Sequence, residues 1–138
     1  MNNRQMARAM LQQAEVILAE AHYLNTHRHW HLVIRRCQES VELALKAVLL
    51  WVGVEVPRIH DVGPVLLQEA DRFPEFFQGQ IPELAALSRT LRTERELSFY
   101  GDEQSGIPAA DLYTPQDAEA ILRATSQALT ACRNLLAR

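Results

Sequence analysis

The chain has 138 residues, 48% hydrophobic and 22% charged, with five glycines and a formal charge of −3 at pH 7. A chain of this size and composition closes one core without disulfides or a metal, which excludes a disordered segment and favours long regular elements over a loop-rich fold. The acidic balance excludes a general attraction to phosphate backbones, so contact with nucleic acid would need a local patch.

Over residues 3–24, Met6, Met10, Ala14, Ile17, Ala21 and Leu24 recur at three- and four-residue steps, with Ala7, Leu11 and Leu18 beside them. That spacing predicts one apolar helix face. Thr26 is the candidate cap of a second helix over 28–52. There Val33, Cys37, Val41, Ala44 and Val48 form one stripe, and Ile34, Gln38, Leu45 and Leu49 an adjacent one. The second half is apolar nearly all round, as expected of the most enclosed helix of a bundle, and Gly53 suits its end. Asp61 is placed to cap a short helix that packs Val62, Val65 and Leu66 inward, with Pro64 in its first turn. Residues 74–80 are expected as a loop. A further helix is predicted over 82–99, with Leu84, Leu87, Leu91 and Ser98 or Phe99 facing the core. Residues 101–111 are expected as a second loop. Thr114, Pro115 and Asp117 then have the pattern of a capping box opening a last helix, whose core face runs from Ala118 to Leu136. The expectation is one all-α domain over residues 1–138, an antiparallel up-and-down bundle of four to five helices.

The longest apolar run, residues 47–54, is too short for a bilayer, and the polar first ten residues lack a signal core, so no membrane contact is expected. Cys37 and Cys132 form no CxxC pair and fall in helix cores, which suits reduced thiols in a cytoplasmic protein. No Gly-rich phosphate loop, GxSxG or HExxH motif is present, and no cofactor is expected. His27, His29 and His31 alternate around Trp30, but on a helix only His27 and His31 would share a face, and no carboxylate or thiolate completes a metal set.

Two charged constellations stand out. Arg35, Glu39, Glu42 and Lys46 follow one another at steps of four, three and four, which puts them on one side of the second helix as two ion pairs. The pattern fits a surface ion-pair row; it also fits a partly enclosed cleft, because Lys46 interrupts an apolar run. Arg89, Arg92 and Arg95 spread over roughly a third of a helix circumference and form either a solvated face or a small anion patch.

The stretch RRCQESVELALKAVLLWVGVEVPRIHDVGPVL resembles the signature segment of HEPN domains. In that family a long helix carries a Glu and then a Lys, followed by an apolar end, a Gly, a Pro-containing turn and a His opening a short helix. Glu42, Lys46, Gly53, Pro57 and His60 hold those places. The later LRTERELSFYGDEQSGIPAADLYTPQDAEAIL is similar to the family in its Arg-rich helix end, its Pro-containing loop and its Pro-x-Asp-Ala helix start. The resemblance implies a homodimer and one of two roles. Many HEPN proteins are toxin–antitoxin or defence ribonucleases that use an Arg followed a few residues later by a His at the dimer interface. Others lack that motif and bind nucleotides or pair with small nucleotidyltransferase proteins.

Here no His follows Arg89, Arg92 or Arg95, and the fifth residue after Arg95 is Tyr100. A phenol, with a reference pKa near ~10, is a poor proton acceptor at neutral pH. The leading expectation is therefore a non-catalytic module. It would bind a nucleotide or RNA, or pair with a nucleotidyltransferase-type protein, through a cleft formed by Glu42, Lys46, Arg92, Arg95 and Tyr100. His60 and Asp61 would serve as positioning and capping residues. The alternatives are a degenerate metal-independent ribonuclease using Arg95 and Tyr100, and an adaptor bundle that only binds protein.

Overall fold

A computed structural model describes residues 2–55 and 58–138; Pro57, one of the family-like positions, lies outside them. Helix α1, Asn3–Thr26, begins with a capping box in which Asn2 Oδ1 accepts from Gln5 N at 2.8 Å and Gln5 Oε1 accepts from Asn2 N at 3.0 Å. Its buried residues are Ala7, Leu11, Ala14 and Ala21. The core face is thus turned from the one expected, and Met6 is exposed. Alanines at seven-residue spacing let the neighbouring helix axes approach closely. At that approach the Ser40 hydroxyl donates across to Ala14 O at 2.8 Å.

Thr26 does not cap the second helix. It is the last residue of α1, and its hydroxyl donates back to Tyr23 O at 2.7 Å. The chain reverses at Arg28, with φ 64, while His29 N donates to Leu24 O and Arg28 N to Asn25 O. This pairing closes the carbonyl end of α1 and delays α2 to Trp30–Trp51. Helix α2 carries both predicted stripes into the core, with Val33, Ile34, Cys37, Gln38, Val41, Ala44, Leu45, Val48 and Leu49 all buried. The same kind of terminus ends it at Gly53, whose φ of 86 is open to glycine at no steric cost.

The short helix α3, Gly63–Gln68, starts one residue later than predicted, with Val62 rather than Asp61 in the cap position. Asp61 still steadies this end: its Oδ1 accepts from Gly63 N at 3.0 Å and from the Ser88 hydroxyl at 2.9 Å. A 3₁₀ turn, Ala70–Arg72, follows, and the expected loop 74–80 contains a one-turn helix α4, Glu75–Gln78, that buries Phe77.

The helix predicted over 82–99 is divided into α5, Ile81–Glu94, and α6, Leu97–Tyr100. At the break the Arg95 carbonyl, which a continuous helix would offer to Phe99 N, accepts from two side chains, Arg35 Nη1 at 2.7 Å and the Ser98 hydroxyl at 3.2 Å; Phe99 N donates to Glu96 O instead. In the 101–111 loop, Asp102 and Ile107 form an isolated antiparallel bridge, and a 3₁₀ turn covers Ala109–Asp111. Helix α7, Pro115–Leu136, opens on the predicted capping box: Asp117 N donates to Thr114 Oγ1 at 3.1 Å, and Thr114 N to Asp117 Oδ2 at 2.9 Å.

Arg95, after the end of α5, meets Gln38 in the first half of α2. Arg133, late in α7, meets Glu15 in α1, while Ala118 and Leu122 at the other end pack with Ala21. Helices α1, α2, α5 and α7 therefore alternate up and down around a core centred on α2. The protein is all-α, and the described residues contain no strand. No helix among them is long and apolar enough to cross a membrane. Cys37 and Cys132 are free and buried, and burial pushes both thiols up to about 12.

Candidate functional site

The break at Arg95 turns this side chain back onto α2. There, Glu42 is the hub. Its Oε2 accepts from Lys46 Nζ at 2.9 Å, and its Oε1 accepts from Gln38 Nε2 at 2.8 Å and from His60 Nδ1 at 2.9 Å. Arg95 Nη1 donates to Gln38 Oε1 and stands 4.0 Å from Glu42 Oε1. The side chains of Glu42, Lys46 and Arg95 are only 16%, 14% and 17% exposed. At that depth the charges are desolvated, and the hydrogen bonds carry the compensation. Burial works to raise the Glu42 carboxyl, but the bonds from Lys46, Gln38 and His60, together with the Lys46 charge, outweigh it and hold the group below its ordinary value.

That balance sets a sign for acid unfolding. A carboxyl held low in the folded state contributes stability above its unfolded value of 4.5, and the contribution is lost as pH falls through the lower folded value. Wild type is expected to outlast Glu42→Gln in thermal melts above about pH 5, with the gap closing as pH drops below 4.5. A gap that does not change with pH would show that the charge is irrelevant.

The structure thus brings Glu42, Lys46, Arg95 and His60 into one cluster and leaves Arg92 and Tyr100 outside it. The arginine ladder is dispersed: Arg89 reaches Asp61 Oδ2 at 3.9 Å, Arg92 is exposed, and Arg95 points inward. Tyr100 is 62% exposed, with its ring edge-on to Phe99 at 5.0 Å between centroids. Gln38 was foreseen only as a core-stripe residue. Its signal was a lone amide in an apolar stripe, four residues before Glu42. The Tyr113 hydroxyl, which donates to Glu94 at 2.7 Å and ties the end of α5 to the segment before α7, carried no signal of its own. Burial first, and then Glu94, push that phenol up.

Beside the cluster lies an apolar surface. Leu97, Phe99, Tyr100 and Ile107 are 37–62% exposed, and the Arg35 guanidinium sits 4.7 Å over the Phe99 ring. His27, His29 and His31, by contrast, are divided by a turn. The Arg28 turn leaves His27 at the end of α1 and His31 in α2, and the described residues contain no cluster that could hold a metal ion.

The family model for the HEPN domain matches residues 7–135, which is nearly the whole chain. The chain belongs to the HEPN family. No curated protein and no solved structure gives a match. Within this HEPN domain the Glu and Lys of the signature helix are bonded partners, and the His that opens the short-helix region is held by that same Glu. The family-like positions 42, 46 and 60, separated in sequence, converge on one carboxylate.

Proposed function

We propose that this HEPN domain is a non-catalytic module. It pairs with a second copy of itself through the α6 face. It works, in a toxin–antitoxin-like setting, with a nucleotide ligand or a nucleotidyltransferase-type partner. The observation that carries the reading is the state of Arg95. A ribonuclease of this family would offer that guanidinium to a phosphodiester beside a proton-transferring group. Here it is turned inward, only 17% exposed, with Nη1 bonded to Gln38 and 4.0 Å from Glu42, while the residue in the histidine's place, Tyr100, lies exposed against Phe99. Exposed aromatic side chains flanked by an arginine are the composition of an interface hot spot, which supports self-pairing at α6.

Two measurements test this together. Light scattering after size exclusion is expected to give a dimer for wild type and a monomer for the double variant Phe99→Glu, Tyr100→Glu, with melting temperatures within a few degrees. A monomeric wild type would remove the self-pairing. Incubation with a short RNA is expected to leave it intact. RNA that wild type cleaves and Tyr100→Phe spares would replace this reading with the nuclease.

A further inference from the structure

The short helix α3 and the first turns of α5 lie side by side and leave a groove of about 520 Å³, with Pro64, Leu67, Pro82, Ala85, Ala86 and Arg89 among its lining residues. Neither this groove nor the outer part of the arginine ladder has a role in the Glu42 cluster. We propose that the groove docks an acidic amphipathic helix of a partner protein, with the apolar stripe of that helix on α3 and α5 and its carboxylates towards Arg89 and Arg92. The inference goes beyond the reading above, since it needs neither self-pairing at α6 nor a nucleotide.

Three observations carry the proposal. The first is an apolar floor with fixed walls. Leu67 is 51% exposed, and Pro64, Pro82 and Ala86 are exposed beside it. Single exposed apolar side chains are ordinary, but these line one groove. A Cβ on Gly63 would lie 2.9 Å from Ala85 O, so the two helices are in close contact. The Asp61 carboxylate ties them by accepting from Gly63 N and from the Ser88 hydroxyl. A groove formed before binding adds little ordering cost. The second observation is charge. The Arg89 side chain is 76% exposed, and it reaches Asp61 Oδ2 only at 3.9 Å, too long for a hydrogen bond. Arg92, one turn further along α5, is exposed and enters no ion pair among the described residues. Glu83 lines a different groove, between α5 and α7. Two guanidinia open to solvent thus follow the apolar floor, in a chain whose overall charge is −3, and their complement is a carboxylate. The third observation is shape. The α5 side of the groove runs from Pro82 to Thr90, about 12 Å or two helical turns. Ala85 and Ala86 let a third helix axis come close. The backbone groups of α5 are paired within the helix and offer no row to an extended strand. The groove is open along its length and lacks the convergent polar groups that fix a small molecule. A helix with apolar residues at i, i+4 and i+7 and Asp or Glu in the next turn meets the floor and the cations together.

The test is a selection against the full chain. The probe is a displayed library of capped helical peptides, randomised over successive turns. Enriched peptides are expected to carry the apolar stripe followed by Asp or Glu. Binding of a synthetic copy should weaken about tenfold in Leu67→Gln and in Arg89→Glu. Both positions are exposed, so both variants should melt close to wild type. Replacing the peptide's acidic residue with lysine should restore binding to Arg89→Glu while weakening it for wild type. Val16→Ala, at an exposed apolar position on α1, should bind the original peptide as wild type does. An empty selection, enriched peptides without acidic residues, or binding that survives both groove variants would overturn the proposal. Light scattering separates it from self-pairing. Leu67→Gln and Arg89→Glu should leave the mass of the protein in solution unchanged, and a change would assign the groove to a second copy instead. Phosphatidylserine vesicles that bind wild type but not Arg89→Glu would assign the face to a membrane and overturn the partner helix.

Discussion

Replacing Glu42 with alanine is expected to lower stability by about 2–4 kcal/mol, because one carboxylate answers several donors at once. Removing it leaves Lys46 without its hydrogen-bonded partner, takes away the acceptor of Gln38 Nε2 and His60 Nδ1, and leaves Arg95 beside a neutral cavity. The lower end of the range allows for the 16% exposure of the side chain, which lets water repair part of the damage. In a domain of this size the drop corresponds to roughly 10 °C in melting temperature. Urea unfolding of Glu42→Ala, Lys46→Ala and the double variant checks it: the double variant should be less destabilised than the sum of the singles. A loss below about 1 kcal/mol would place the cluster among ordinary surface ion pairs.

The second large effect is expected at Gly101, which joins α6 to the Asp102–Ile107 bridge. Its φ is 79, and a Cβ built there would lie 2.6 Å from Ile107 O and 2.8 Å from Ala109 N. Both are backbone atoms, so no side chain can swing aside. Gly101→Ala should cost about 3 kcal/mol or more, the left-handed penalty plus displacement of the bridge. Gly106 is the control. Its φ of 68 is also left-handed, but nothing lies within 4 Å of its Cβ position. Gly106→Ala should therefore cost only about 1–2 kcal/mol. Equal losses at the two glycines would show that the close approach at Gly101 does not matter. Because α6 leads directly into Gly101, the Ala variant should also weaken the self-association proposed for the α6 face.

Helix α2 was legible because its two stripes use the 3.6-residue period and an apolar second half, which only burial on most sides can satisfy. The start of α7 was legible because Thr114, Pro115 and Asp117 satisfy the helix's own first donors locally, with no help from elsewhere in the chain. The Glu42–Lys46 contact was legible for the same reason, as a four-residue pair on one helix. Boundaries were missed where a distant group intervened. Nothing near Arg95 in sequence announces a break, since its backbone stays helical with φ −56 and ψ −51. The Arg95 carbonyl instead meets Arg35, sixty residues earlier.

The sequence by itself determined the all-α class, the order of the long helices, the family and the pairings that lie within one helix. Each of these depends on periodicity, local capping or short-range spacing. Tertiary structure alone decided that Arg95 and His60 meet at Glu42 while Arg92 and Tyr100 stay outside, and that Leu67 and Arg89 border one groove. Those meetings join separate elements, and their geometry follows from how closely the alanine face of α1 and the ends of α2 and α5 pack. No spacing along the chain encodes that distance.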